Sequence, residues 1–336
     1  MKLKLLLFLM LLLPMSSMAQ KVAYAVLKDS TLTFYYGNNK PTGAYDVEKR
    51  IFFSLTEWYD VCDQIHTVVF DQSFKEYRPK SCELWFSGCK NLISIKNIKE
   101  NLNTSEVTNM REMFRECKKL TSLDVSGFNT DKVIDMSRMF EDCEKLTSLD
   151  VKGFNTEKVT DMSFLFLGCE KLTSLDVSGF NTDNVTNMYG MFYACHNLTS
   201  LKVSGFNTNK VTSMGSMFWG CESLTSLDVS GFNTENVTYM SEMFAYCYSL
   251  TSLDVSRFHT DNVTDMNRMF VRCDNLKTIY VGDGWNTSSV KKSEFMFLDC
   301  PNLIGEQGTK CHYSHHDASY AHIDGGESNP GYFTKK

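Results

Sequence analysis

Twelve cysteines, a histidine-rich tail and a file of aspartates are the residues here whose types could do chemistry. Cysteines form disulfides, hold metals or act as nucleophiles, and spacing decides among these roles. Cys89, Cys117, Cys143, Cys169, Cys195, Cys221, Cys247, Cys273 and Cys300 each follow a phenylalanine by three residues, so they form one column. Neighbours in a column point the same way, whereas a disulfide needs Cβ atoms converging to about 3.8 Å. Stacked ligands do not surround one zinc tetrahedrally either. The expectation is a column of buried free thiols acting as small hydrophobes, with ladder disulfides as the competing one. Cys62, Cys82 and Cys311 fall off the column, and a Cys62–Cys82 bridge is left open.

The tail carries Cys311, His312, His315, His316, Asp317, His322 and Asp324. That is a metal-binding composition, but its spacing matches no ligand motif. A polar capping loop explains it as well, and no metal or cofactor is expected. No G-x-S-x-G, phosphate loop or H-E-x-x-H occurs. The aspartates recur as copies in like surroundings, and an acid–base pair needs two members with different pKa values. The reading is a binding protein and not an enzyme.

These residues are positioned by a repeat. LTSLDVSGFNTDKVIDMSRMFEDCEK, from Leu120 to Lys145, returns at Leu146, Leu172, Leu198, Leu224 and Leu250 with a period of 26. A looser copy starts at Leu276, another at Leu92, and a worn one carries Ile65, Val68 and Phe70. Leu120, Leu123 and Val125 fit L-x-x-L-x-L, the strand segment of a leucine-rich repeat. Val133, Met136, Met139, Phe140 and Cys143 are spaced for one helical face. Asp135 is the expected helix cap, helped in later copies by Thr160, Thr186, Thr212, Thr238 and Thr264. Stacked copies would join the Leu, Val, Met, Phe and Cys positions into internal columns, and Asn129 and its counterparts into an amide ladder.

The predicted fold is therefore an α/β repeat: a leucine-rich-repeat-like solenoid of about nine turns, with short parallel strands on one side and short helices on the other. Predicted boundaries are a signal peptide over 1–19, an N-terminal cap over 20–61, the solenoid over 62–302 (most regular at 120–275) and a C-terminal cap over 303–336. Tyr24–Lys28 and Thr31–Tyr36 read as a hairpin joined at Asp29-Ser30. Tyr332 and Phe333 are candidates to plug the far end.

Two faces could bind. The strand side turns Asp124, Asp150, Asp176, Lys202, Asp228 and Asp254 outward. Carboxylates stacked about 4.8 Å apart repel one another, and Lys202 is placed to relieve Asp176 and Asp228. The helix side carries Phe164, Leu167, Tyr189, Tyr193, Trp219, Tyr239 and Tyr246 at non-core positions that vary between copies. Such aromatics serve either an interface or packing between neighbouring copies.

The chain is 43% hydrophobic and 22% charged, an ordinary globular mix. Lys2 and Lys4, the apolar run Leu5–Leu13 and Ser17-Met18-Ala19 read as a secretory signal peptide. The run is too short to span a membrane. Removing Lys2 and Lys4 takes the formal charge from -6 to -8. That balance disfavours nucleic acid, and no transmembrane segment is expected.

The unit LTSLDVSGFNTxxVTxMSxMFxxC resembles the bacterial surface protein 26-residue repeat of the BspA-like leucine-rich-repeat proteins. TLTFYYGN, VVFDQSFKEYRP and AHIDGGESNPGYFT are similar to sequences that flank such repeats. The resemblance implies a solenoid displayed outside the cell that adheres to a host extracellular protein or to another bacterial surface. It brings no catalytic residues. A glycan-binding or scaffold component is the alternative.

Overall fold

The computed structural model describes residues 20–51 and 55–336. The expected signal peptide lies outside the described residues. The chain opens on an antiparallel hairpin of β1 (Val22–Lys28) and β2 (Thr31–Gly37). Asp29 and Ser30, both at positive φ, make its turn, which matches the right-handed twist of paired strands. β3 (Tyr45–Asp46) pairs with β1. On its other edge β2 accepts β4 (Thr67–Phe70) in parallel, and β4 accepts β5 (Ser94–Lys96). The hairpin thus satisfies the first open edge of the repeat. Beneath it Phe34, Trp58, Phe70, Phe74, Trp85 and Phe86 are fully buried, and Trp58 Nε1 donates to Trp85 O at 2.7 Å.

The copies stack as expected, but their second half is not helical. Among the described residues the α-helix given is α1 (Ile98–Asn101), outside the regular copies. In place of helices each copy winds through consecutive turns. Met139 N–H donates to Met136 O within its copy, whereas Phe140 N–H donates to Leu165 O in the next. The same alternation runs through Met110, Glu112, Phe114 and Glu116. Half of the backbone donors therefore tie one copy to the next, which an α-helix cannot do. The winding needs two left-handed residues four apart, such as Arg138 with Asp142 and Glu242 with Tyr246. Apolar residues at offsets of three, six, seven and ten point inward in this winding as they would in a helix. A parallel bridge ladder marks its start, from Ser81 through Asn109, Asp135, Asp161, Asn187, Ser213, Tyr239 and Asp265 to Lys292.

The expected caps do other work. Asp135 accepts from Ser137 N–H at 2.8 Å, closing a local turn. Thr186, Thr212, Thr238 and Thr264 donate their hydroxyls to the carbonyl of the equivalent residue one copy earlier, at 3.2–3.3 Å. The amide ladder is also different: the asparagines reach the residue two places beyond their counterparts in the copy before, Asn155 Nδ2 donating to Asp131 at 2.9 Å, Asn207 Nδ2 to Asp183 at 2.6 Å and Asn233 Nδ2 to Asn209 Oδ1 at 2.9 Å. Buried Thr130, Thr156, Thr182 and Thr208 each donate to the asparagine carbonyl of the next copy at 2.7–2.9 Å.

On the other side, strands pair only in part. β6 (Ser174–Leu175) pairs with β7 (Ser200–Leu201), and β8 (Ser252–Val255) with β9 (Thr278–Val281). In the first copies Leu123 and Val125 are buried and Asp124 exposed, as in a strand, but the ladder opens. The bond from Thr147 N to Thr121 O is 3.4 Å there, against 3.0 Å for Thr199 to Thr173 and 2.9 Å for Lys277 to Thr251. The copies are held together by the turn side and the threonine column instead.

The interior is a set of stacked columns. Phe86, Phe114, Phe140, Phe166, Phe192, Phe218, Phe244, Phe270 and Phe297 lie ring on ring at 5.6–5.8 Å. Each is fully buried, and burying such a side chain contributes about 1.5–3 kcal/mol. Beside them each column thiol donates to a phenylalanine carbonyl one copy back, as Cys143 does to Phe114 O at 3.3 Å. Burial pushes these thiols up, Cys195 and Cys247 to about 12, so they are inert at neutral pH.

The first column cysteine departs from expectation. Cys89 is bonded to Cys62, with Cα atoms 4.4 Å apart. Cys62 lies in a 3-10 turn at Tyr59–Gln64, where Trp58-Tyr59-Asp60-Val61-Cys62 repeats the spacing of Trp85-Phe86-Ser87-Gly88-Cys89. Cys62 therefore fills the column's first place, one step below Cys89. Cys82 stays free and buried. At the far end Cys311 Sγ reaches Phe297 O at 3.5 Å, the carbonyl that the next copy's cysteine would have taken.

β10 (Phe333–Lys335) adds to β9 in parallel and ends the stack. Tyr332 and Phe333 are fully buried, edge-on to Phe297.

Candidate binding face

The aspartate file points outward but is occupied locally. Asp124, Asp150, Asp176, Asp228 and Asp254 each accept from the backbone N–H two residues on, at 3.0–3.1 Å. The hydroxyls of Ser126, Ser178 and Ser230 with those N–H groups hold Asp124, Asp176 and Asp228 below the usual carboxylate range. Lysines cover part of the file: Lys99 lies 3.7 Å from Asp124, Lys152 lies 3.4 Å from Asp176, and Lys336 pairs with Asp254. Asp176 is relieved by Lys152 and not by Lys202, since the Lys152 side chain reaches across one copy. Each aspartate closes the turn after its own extended segment, a structural role shared by the five copies that carry one.

The turn side is different. Phe164, Leu167, Tyr189, Tyr193, Trp219, Tyr239 and Tyr246 are all half-buried. They form two rows. In the first, the Arg138 guanidinium lies 4.3 Å from the centre of the Phe164 ring, Phe164 meets Tyr189 edge-on at 5.0 Å, and Tyr189 meets Tyr239 at 5.9 Å. Two glycines make room for these rings. A Cβ at Gly190 would come within 2.6 Å of Phe164, and one at Gly215 would run into Tyr239 and come within 2.9 Å of Tyr189. In the second row Tyr193 and Trp219 stack at 4.3 Å with their planes nearly parallel, and Tyr246 leans on Trp219 at 4.8 Å and 47°. Packing between copies and display to solvent, posed as alternatives by the sequence, are both served by the same side chains.

Beyond Trp219 the second row stops. The next places in its column hold Ala245 and Val271, both buried, then Leu298. The gap is a cleft of about 540 Å³, with Trp219 and Tyr246 at one end, Phe295 at the other and Val271 below. Arg268 and Glu242, 3.6 Å apart, line one flank; Arg272 and Asp299 line the other. Arg268 sits over Phe295 at 5.6 Å and Arg272 over Tyr248 at 5.4 Å. Sequence reasoning found Trp219 and Tyr246 but missed these flanks. The available signal was the change from Tyr193 and Trp219 to Ala245 and Val271 within one column.

Toward the N-terminus the same outer positions hold charges. Arg115 pairs with Glu141 at 3.1 Å and with Glu116 at 2.6 Å, Arg138 with Glu141 at 2.8 Å, and Lys118 with Glu144 at 2.5 Å.

The tail residues hold the C-terminal cap together. Asp324 is 3% exposed and accepts from Thr309 Oγ1 at 2.7 Å and from the N–H groups of Gln307, Thr309, Gly326 and Gly331 at 2.9–3.3 Å. Burial pushes this carboxyl up, but the Thr309 hydroxyl and the backbone donors outweigh it and hold it at about 2. His312 and His315 form a backbone bridge, and Tyr332 donates its hydroxyl to His315 O at 2.7 Å. Among the described residues no three His, Cys, Asp or Glu side chains converge as metal ligands.

Residues 80–202 and 186–308 match the family described as Mycoplasma protein of unknown function, DUF285. The chain belongs to that family. Both DUF285 stretches fall on the repeated copies, so family and repeat are one feature. The chain is also similar to a leucine-rich repeat protein from Bacteroides ovatus ATCC 8483, at 18% identity over 85% of this chain and 92% of that one, with a TM-score of 0.23. A second, from Eubacterium ventriosum ATCC 27560, shares 15% identity over 89% of this chain and 91% of that one, with a TM-score of 0.28. Superpositions this loose leave the fold to be read from the chain's own ladder. No curated protein matches the chain.

Proposed function

We propose that this DUF285 chain is a non-enzymatic, exported or cell-surface repeat protein that adheres to a host extracellular protein or to another bacterial surface, and that it binds through its turn side. One observation carries the reading: half-buried aromatics occupy outer positions that differ between copies, on a backbone that repeats. The aspartate file is the same in nearly every copy and is spent on local turns. Interfaces draw energy from rigid aromatic anchors with guanidinium neighbours, and the turn side supplies both. The test is capture of the mature chain on immobilised extracellular-matrix proteins and on whole bacteria. Trp219→Ala with Tyr193→Ala should abolish capture, while Asp124, Asp150 and Asp228 changed together to Asn should leave it. The reverse result would overturn the choice of face. Among the described residues no helix is long and apolar enough to cross a membrane.

The second reading, a glycan-binding component, is favoured by the cleft beside Trp219.

A further inference from the structure

The cleft between Trp219 and Phe295 is a built recess and not a chance groove. It exists because one column changes from Trp219 to Ala245 and Val271 while the columns on either side keep long polar side chains. Its volume, about 540 Å³, falls in the range of roughly 300–1,000 Å³ typical of small-molecule sites.

The chemistry of the walls is mixed in a particular way. One end is aromatic and the floor is aliphatic, which suits the C–H face of a flat ring. The flanks carry two guanidinium donors, Arg268 and Arg272, and two carboxylate acceptors, Glu242 and Asp299. Each arginine has an aromatic and a carboxylate neighbour: Arg268 lies over Phe295 and 3.6 Å from Glu242, and Arg272 over Tyr248 and 3.8 Å from Asp274. Such neighbours bias the donors toward the cleft walls before a ligand binds. The four charges cancel, so the cleft has no net attraction for an anion, and a bound carboxylate would lie against Glu242 or Asp299. A ligand with an apolar face and a rim of hydroxyls satisfies every wall at once, since a hydroxyl both donates and accepts.

We propose that this cleft binds a neutral pyranose glycan, one sugar ring stacking against Trp219 and Tyr246 with its hydroxyls shared between Arg268, Arg272, Glu242 and Asp299. The inference rests on the turn side being the binding face. An interface with a protein is the other class of occupant, and the test separates them.

The full mature chain is titrated by calorimetry with cellohexaose, maltohexaose and mannohexaose, and with hexagalacturonate as the acidic counterpart. At least one neutral hexaose should bind, and hexagalacturonate should not. Trp219→Ala should weaken binding at least about tenfold, and Ala245→Trp, which fills the cleft, should abolish it. Glu242→Gln, which keeps the shape, should weaken it less and serves as the variant least disturbing to folding; unchanged thermal melting of each variant confirms its fold. Binding of hexagalacturonate alone, no binding of any neutral hexaose, or binding indifferent to Trp219→Ala and Ala245→Trp would each overturn the glycan assignment. The same variants are run in the matrix-protein capture assay. Loss of capture in Trp219→Ala without any hexaose binding removes the glycan and keeps the turn side. Capture lost only in the triple aspartate variant removes both.

Discussion

Two stretches of the turn side use one backbone for opposite ends. From Arg111 to Glu144 the outer positions are charged, and the charges answer one another: Arg115 and Arg138 share Glu141, and Lys118 holds Glu144. From Phe164 to Tyr246 the turn side carries aromatics instead, Tyr193 and Trp219 standing in the Glu141 column and Phe164 in the Arg138 column, and past Trp219 the rings give way to an open cleft. Beneath both runs the same phenylalanine column at the same spacing. The ladder of turns is therefore indifferent to what its outer positions carry. The charged stretch closes on itself, and the aromatic stretch leaves surface unspent.

The largest expected effect tests the shared core. Phe140→Ala under the charged stretch and Phe192→Ala under the aromatic one should each cost about 3–5 kcal/mol. Chemical denaturation should give nearly equal losses, and a large inequality would mean that the two stretches do not share one packing. The C-terminal cap sets a third case apart, because it hangs on one carboxylate. Asp324→Asn should cost about 2–3 kcal/mol, as buried donors lose a charged acceptor. The folded Asp324 carboxyl lies below its unfolded value. Its contribution is thus complete above about pH 4 and fades as pH falls toward 2. Hydrogen exchange should show the cap opening before the phenylalanine column does, and a cap as acid-resistant as the column would contradict this.

Smaller effects separate the stretches themselves. Gly215→Ala should cost about 1–3 kcal/mol by displacing Tyr239 and Tyr189, whereas Ser163→Ala, two copies earlier in the same column, buried but bonded through its backbone N–H to Asp161, should stay within about 1 kcal/mol. Glu141→Gln should cost about 1–2 kcal/mol at low salt, since a buried carboxylate leaves two guanidinium partners, and somewhat less in 1 M sodium chloride, because those partly exposed arginines are screened. Tyr193→Ala should show no such salt dependence in thermal melts; equal salt dependence would erase the distinction.

Much of this was legible in the chain. A strict period fixes which positions align, and Phe, Met and Cys at aligned positions could only be core. What periodicity could not separate was a helix from a stack of turns, since both turn the same offsets inward. The cue lay in Gly88, Gly168, Gly190 and Gly220, which sit at the two left-handed positions. It was masked by Arg138, Phe164 and Glu242, which accept that conformation without being glycine. The local hydrogen bonding of the aspartate file stayed hidden for a related reason. A conspicuous column of charge reads as a site, but its hydrogen bonds to the next serine lie in backbone geometry that composition does not carry. The Cys62–Cys89 bond escaped because the column was counted from its regular copies and not from its worn first step. The cleft depends on residues from several copies, and only the stacked register shows that Arg268, Arg272 and Trp219 share one recess.

The parallel ladder that joins each copy to the next has a bearing on inheritance. Neighbouring copies meet through recurring turn-side donors and acceptors, so a whole copy can be added or removed while each end piece keeps the contacts it already makes. Length then changes in steps of one strand spacing, about 4.8 Å. The distance between the hairpin at one end and the Asp324 cap at the other becomes a countable trait, one that selection can adjust without inventing a new contact.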